Sequence, residues 1–274
     1  MSLHRCIDRS RPRRTPQCLA LCATLTILAI AVRAVHSDDG LTLPMTHSAV
    51  PVASVPAASR QLILVTAPAW ESSTGSLGRY ERDSPSSRWR QVGRRTPVVL
   101  GRSGLGWANG LQPQGMEGPT KREGDGRSPA GVFTLGELFG YGPLSPGFRT
   151  PYIHVLDSTR CIEDVRSRYY NQIVDSSGIT APDWSAADYM RRADDLYRLG
   201  VFVNANTRPV VPGAGSCIFI HVWGSRQTPT VGCTAMDFSA VHDLATWLDP
   251  ARNPVLVQLP AGQYLQLKPT WRLP

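Results

Sequence analysis

Residues 213–236, GAGSCIFIHVWGSRQTPTVGCTAM, decide how this chain is read. Their apolar positions alternate. Cys217, Phe219, His221 and Trp223 fall on one face of an extended strand, and Ile218, Ile220 and Val222 on the other. Cys233 comes twelve residues after His221. That length lets the chain leave the strand, turn through Gly224 and Pro229, and return a thiol to the imidazole. A thiol within hydrogen-bond reach of an imidazole is a device for making a thiolate nucleophile at neutral pH. The same residue types also suit a buried core Cys beside a satisfied strand His. Downstream, Asp237 is placed to cap a helix over 238–248, with Val241, Leu244, Ala245 and Leu248 as its buried stripe. Pro250 ends it, and His242 lies off the stripe.

Working outward, short strands are expected at 61–65, 75–81, 89–92, 96–100, 152–156, 201–203 and 255–259. Turn residues between them recur every 8–12 positions. A closing hairpin through an Ala-Gly turn would add 264–267. The run 186–199, AADYMRRADDLYRL, carries Tyr189, Ala193, Leu196 and Tyr197 at helical spacing, with Gly200 as a stop. The fold class is therefore mainly β with a few helices. GRSGLGWANGLQPQG at 101–115 is glycine-rich but lacks the Gly-Lys-Ser/Thr ending of a phosphate loop. GDGRSPAGVFTLGELFG at 124–140 reads as a tight turn into a strand, where Pro129 fixes φ and Gly131 permits close backbone approach. His154 reads as structural.

Three blocks, KREGDGRSPAGVFTL (121–135), FIHVW (219–223) and PTVGCTAM (229–236), together resemble the catalytic domain of the YkuD-like L,D-transpeptidases. They occur in that family's order, and the likeness spans about 61–267. It implies a single catalytic domain built on a β-sandwich or curved mixed sheet. It implies Cys233 as nucleophile and His221 as its base, with the Val222 carbonyl orienting the imidazole. Backbone N–H groups around Gly232, Cys233 and Thr234 would form an oxyanion hole. Peptidoglycan stem peptides would be the substrate, carbapenem-type compounds the inhibitors, and no cofactor would be needed. Two positions depart from the family pattern. Val231 stands where a His is common, and Ala235 where an Arg or Asn is common, which leaves the substrate carboxylate without its usual partner. Arg122 is the substitute read here. A nearby imidazolium is expected to lower the thiol pKa.

The function implied is L,D-transpeptidation through a cysteinyl acyl-enzyme. The alternatives are L,D-carboxypeptidase trimming by the same pair, and a wall-binding protein that keeps the fold without the chemistry. No His pair has metal-ligand spacing together with a third donor, and no paired-carboxylate signature for glycoside chemistry stands out.

The chain has 274 residues, a formal net charge of +8 and six cysteines. Residues 1–37 hold six Arg and one Asp, so about +3 remains for the rest. No Lys/Arg run with interleaved aromatics follows, which argues against a nucleic-acid partner. Arg residues precede an apolar run at 19–32, and small-residue cleavage sites end at Ala31 and Ala34. Residues 1–37 therefore read as a secretory signal or, if uncleaved, an N-terminal anchor, the chain's one route to a membrane. Residues 38–60 read as a linker and 61–274 as the catalytic domain, exported to the periplasm or cell wall. Export would remove Cys6, Cys18 and Cys22 with the signal. With Cys233 assigned as nucleophile by the resemblance, Cys161 and Cys217 are left as a disulfide pair, the alternative being two reduced buried thiols.

Overall fold

The computed structural model describes residues 55–274. The expected signal or anchor, most of the linker, and Cys6, Cys18 and Cys22 lie outside the described residues. Val55 is buried, and the Arg82 guanidinium donates to the carbonyls of Ser59 and Pro56 at 2.8 and 2.9 Å.

The described chain is mainly β. In order it runs β1 (Gln61–Ala67), β2 (Thr74–Glu81), β3 (Arg90–Val99), β4 (Leu105–Trp107), β5 (Ser128–Gly140) and β6 (Tyr152–His154). It continues through β7 (Thr159–Ile162), β8 (Ile173–Asp175), β9 (Ala187–Tyr189), β10 (Leu199–Val203), β11 (Phe219–Val222) and β12 (Thr234–Met236). Then come α1 (Phe238–Trp247), β13 (Val255–Pro260) and α2 (Ala261–Trp271). Ten strands form one mixed sheet in the order β10-β11-β12-β3-β2-β1-β13-β5-β4, with β6 on β5. Because β5 also pairs with β10, the curved sheet expected from the sequence closes on itself like a barrel. A separate three-stranded sheet has the order β8-β7-β9.

Local chemistry explains the elements that hold the site. β11 is fully buried and, apart from His221, apolar on both faces, as a strand covered on both sides should be. Asp237 caps α1, its carboxylate accepting from the Ala240 N–H at 3.0 Å. Val241, Leu244 and Ala245 turn inward, while His242 stays exposed, as their spacing indicates. Gly131 has φ +141, and a Cβ there would sit 2.4 Å from Gln112 Oε1, so only glycine fits where β5 passes that side chain.

Three expectations are corrected. The two strands expected at 89–92 and 96–100 are one strand, β3, carried through Gly93 at φ +69 with a register shift against β2. The helix expected at 186–199 does not form. Tyr189 is exposed and pairs in register with Arg160, whose guanidinium lies 3.9 Å over its ring, while Met190 and Tyr197 are drawn into the core. Asp194 accepts from Arg192 Nε and the Leu196 N–H, and Asp195 adopts φ +57, so tertiary contacts override the helical spacing. The closing hairpin at 264–267 is also absent. β13 already has β1 on one side and β5 on the other, so no edge remains for another strand, and the chain turns at Pro260 into α2.

Candidate active site

β11 divides two cores. Ile218, Ile220 and Val222 join the main core, whereas Cys217 and Phe219 face a second cluster with Phe139, Val155, Cys161, Met190, Tyr197, Phe202 and Cys233. The alternation places His221 on the same side as Cys217 and Phe219, and Cys233 joins that cluster from the loop before β12, with aromatic edges around them. The Tyr197 ring centroid lies 5.1 Å from that of His221 and 5.3 Å from that of Phe219. β11 and β12 run parallel, with Ala235 opposite His221.

His221 Nδ1 lies 2.7 Å from the Val222 carbonyl oxygen. An oxygen there can only accept, so Nδ1 carries the proton and Nε2 keeps its lone pair. The Val222 carbonyl thus fixes the tautomer of the imidazole. The Cys233 thiol accepts from the Phe219 N–H at 3.3 Å and donates to the Cys217 carbonyl at 3.6 Å. No hydrogen bond between thiol and imidazole is among those of the described residues. Cys233 is 6% exposed and His221 5%. Burial pushes the thiol up to about 12, and the Phe219 N–H offsets part of that. Burial likewise lowers His221 to about 4, opposed by its bond to Val222. The expectation of a lowered thiol pKa is corrected. In this closed arrangement desolvation dominates, and both groups are neutral at pH 7.

The Cys233 backbone is clamped by groups that the sequence reading had left out. The Cys233 carbonyl accepts from Ser128 Oγ at 2.8 Å and from Thr230 Oγ1 at 2.6 Å. Ser128 Oγ also accepts from the Gly101 N–H at 2.8 Å. Gln258 ties the two motif loops together, accepting from Thr234 Oγ1 and donating to the Pro129 carbonyl, each at 2.8 Å. The signal for Ser128 and Thr230 was in the sequence, as the hydroxyl residues of GRSPAGVF and TVGC. The Gly232 N–H is engaged by Thr230 Oγ1 at 3.2 Å. The Cys233 N–H has no acceptor among the described residues. Removing one donor from a buried carbonyl costs roughly 1–2 kcal/mol. Ser128→Ala is therefore expected to lose about that in a denaturant melt. It should also lower kcat about tenfold at nearly unchanged KM, by loosening Cys233. Ser128→Thr, which keeps the hydroxyl, should restore most of both.

Residues 157–198 supply a cover: Cys161, Met190 and Tyr197 pack in the same cluster as Cys233, and the Tyr197 ring lies against His221. The Cys161–Cys217 disulfide joins β7 of the cover to the chain entering β11. Asn171, at φ +62, donates to the carbonyls of Ala205 and Asn206 and accepts from the Cys217 N–H. Tyr170 Oη donates to the Glu123 carboxylate, which also accepts from Ser216 Oγ at 2.8 Å. Tyr197 Oη donates to Asp188 at 2.5 Å. Glu163 on the cover is pushed up to about 7, first by burial and then by the charges of Asp188 and Glu123.

Of the cations in the 121–127 loop, Lys121 is buried and bonds Asp125 at 2.7 Å, and its charge acts to lower the thiol pKa. Arg122 is exposed, and its guanidinium makes no hydrogen bond or ion pair among the described residues. Val231 points to solvent at 71% exposure, whereas Ala235 is fully buried. Among the described residues no group of three or more His, Cys, Asp or Glu could hold a metal ion.

A family model described as the L,D-transpeptidase catalytic domain, YkuD, matches residues 80–257. Those bounds run from the end of β2 to the start of β13 and include both His221 and Cys233. Among solved structures the chain is similar to the helical cell shape determining protein Pgp2 from Campylobacter jejuni. That match has 15% sequence identity and a TM-score of 0.32, over 73% of this chain and 47% of that one. The chain thus spans about half the length of that relative. No curated protein sequence matches it.

Proposed function

Since the chain belongs to the YkuD L,D-transpeptidase catalytic-domain family, we propose that it is a cysteine acyltransferase acting on peptidoglycan stem peptides in the periplasm or cell wall. One observation carries the proposal: Cys233 and His221 share one buried face, with the Cys233 carbonyl clamped and its N–H free. Cys233 attacks the carbonyl of an L-centre in an L,D peptide bond. His221 Nε2 takes the thiol proton and delivers it to the departing D-residue amine. With its pKa near 4, His221 is in the neutral, proton-accepting form throughout the physiological range. The Cys233 N–H stabilises the oxyanion, such a donor being worth roughly 3 kcal/mol. Arg122, exposed and without an ion pair among the described residues, meets the substrate carboxylate that Ala235 cannot.

The acyl-enzyme then passes to an amine, giving a crosslink. A thiol enclosed by Phe139, Tyr197 and Phe219 favours this outcome over capture by water. Export rests on the Arg-rich start, the apolar run and the small-residue sites of residues 1–37. Muropeptide mass spectrometry after incubation of sacculi with purified protein tests the reading. New 3–3 crosslinked dimers are expected. Shortened tetrapeptides alone would mean carboxypeptidase trimming, and an unchanged profile would mean a wall-binding protein without chemistry.

A further inference from the structure

Away from the Cys-His face, the β2–β3 hairpin, the start of α1 and the loop between β11 and β12 enclose a groove of about 500 Å³. Four guanidinium groups border it: Arg79, Arg94, Arg95 and Arg226. None of the four has an ion-pair partner among the described residues, although eight ion pairs occur elsewhere. Arg95 is held in place by neutral acceptors alone. It donates to Ser76 Oγ at 2.9 Å, the Ser76 carbonyl at 2.8 Å, Tyr80 Oη at 3.0 Å and Thr66 Oγ1 at 2.8 Å. Arg79 donates to the Asp243 carbonyl at 3.0 Å. Arg94 and Arg226 are exposed, and neither side chain makes a hydrogen bond among the described residues.

Two carboxylates share the groove. Asp237 is occupied as the α1 cap, accepting from Ser239 Oγ at 2.6 Å and the Ala240 N–H at 3.0 Å. Asp243 is the other. Four cations against two anions leave an uncompensated positive field, and two of the cations are already fixed in orientation, so an incoming anion need not order them. Arg226 stands on the loop that links the His221 strand to Cys233, so a long ligand seated in the groove passes along the loop that carries the nucleophile.

We infer that this groove is a second, non-catalytic docking surface for the carboxylate-bearing peptidoglycan polymer, holding a stretch of the sacculus while another stem peptide reaches Cys233. This rests on the functional reading above for the identity of the polymer, and on the arginines for the docking itself. Guanidinium-carboxylate contacts are charge-assisted, and the loss of two of them weakens binding by about tenfold or more.

The test uses Arg94→Gln/Arg226→Gln, two exposed positions outside the catalytic face, with thermal melting to verify the fold. Co-sedimentation with purified sacculi is measured across a salt series, and turnover is measured separately on a soluble muropeptide. Expected results are roughly tenfold weaker sacculus binding, a flatter salt dependence and unchanged soluble turnover. If the variant binds sacculi as wild type does, the docking surface is wrong, whatever the turnover. If wild type turns over no muropeptide yet loses sacculus binding with the variant, the catalytic reading fails and the groove stands. Wild-type binding to phosphatidylglycerol vesicles, with no arginine-dependent binding to sacculi, would assign the groove to a membrane and overturn the proposal.

Discussion

Cys233→Ala should reduce turnover of muropeptides to background, and His221→Ala should reduce it by roughly 10²–10⁴-fold, the range for loss of a positioned general base. Because the two act on one proton, the double variant should be little worse than Cys233→Ala alone. The closed geometry sharpens the expectation. With the thiol pushed up to about 12, Cys233 in the free enzyme should react with iodoacetamide at pH 7 far more slowly than an unfolded thiol of ordinary pKa, near 8.5. Denaturant should restore the ordinary rate. Fast alkylation of the folded protein at pH 6 would mean that thiolate and imidazolium coexist in the resting state, contrary to the buried arrangement. If His221→Ala keeps wild-type turnover, His221 is a strand histidine and the acyl-transfer reading loses its base.

The same two shifts set a pH window for stability. The folded-state value of His221 lies below its unfolded one, so its contribution is present above about pH 6.5 and is lost as pH falls toward 4. Cys233 is shifted up, so its contribution is intact below about pH 9 and is lost as pH rises toward 12. A cover that opens before global unfolding would show first as a rise in Cys233 alkylation at either edge of that window.

The alternation of residues 217–222 and the capped helix after Asp237 were legible because each is a local pattern that burial enforces. The pairing of Cys161 with Cys217 was read from the expected export and the one cysteine reserved by the family motif. What stayed illegible depends on contacts distant in sequence. Residues 186–199 look helical because Tyr189, Ala193, Leu196 and Tyr197 have the right spacing. Two of their partners, Arg160 and Phe219, lie in no local window. The thiol pKa was misread for the same reason. A motif shows that an imidazole is near a cysteine, but not that a cover far upstream in sequence removes the water from both. Ser128 lay in plain view inside GRSPAGVF, yet its role appears only when its hydroxyl meets a carbonyl 105 residues away.

That cover is where the second large effect is expected. Its sheet consists of β7, β8 and β9, strands of three or four residues, too short to be stable without support. The support comes from the Cys161–Cys217 bridge, with a sequence separation of 56, and from the hydrogen bonds of Asn171 beside it. On the chain-entropy model a bridge of that span contributes about 4 kcal/mol. Cys161→Ser/Cys217→Ser should therefore lower stability by about 2–4 kcal/mol in a urea melt. The loss should fall first on the cover as local opening rather than on the barrel-like sheet. Cys233, now the one cysteine among the described residues, reports that opening directly. Its alkylation rate at pH 7 should rise well above wild type under conditions where β1 and β13, at the centre of the main sheet, still resist hydrogen exchange. Asn171→Ala should move the same rate in the same direction by a smaller amount, because the bridge still holds the cover. An unchanged alkylation rate in the bridge-less variant would show that Tyr197 and its aromatic neighbours hold the cover closed without the disulfide.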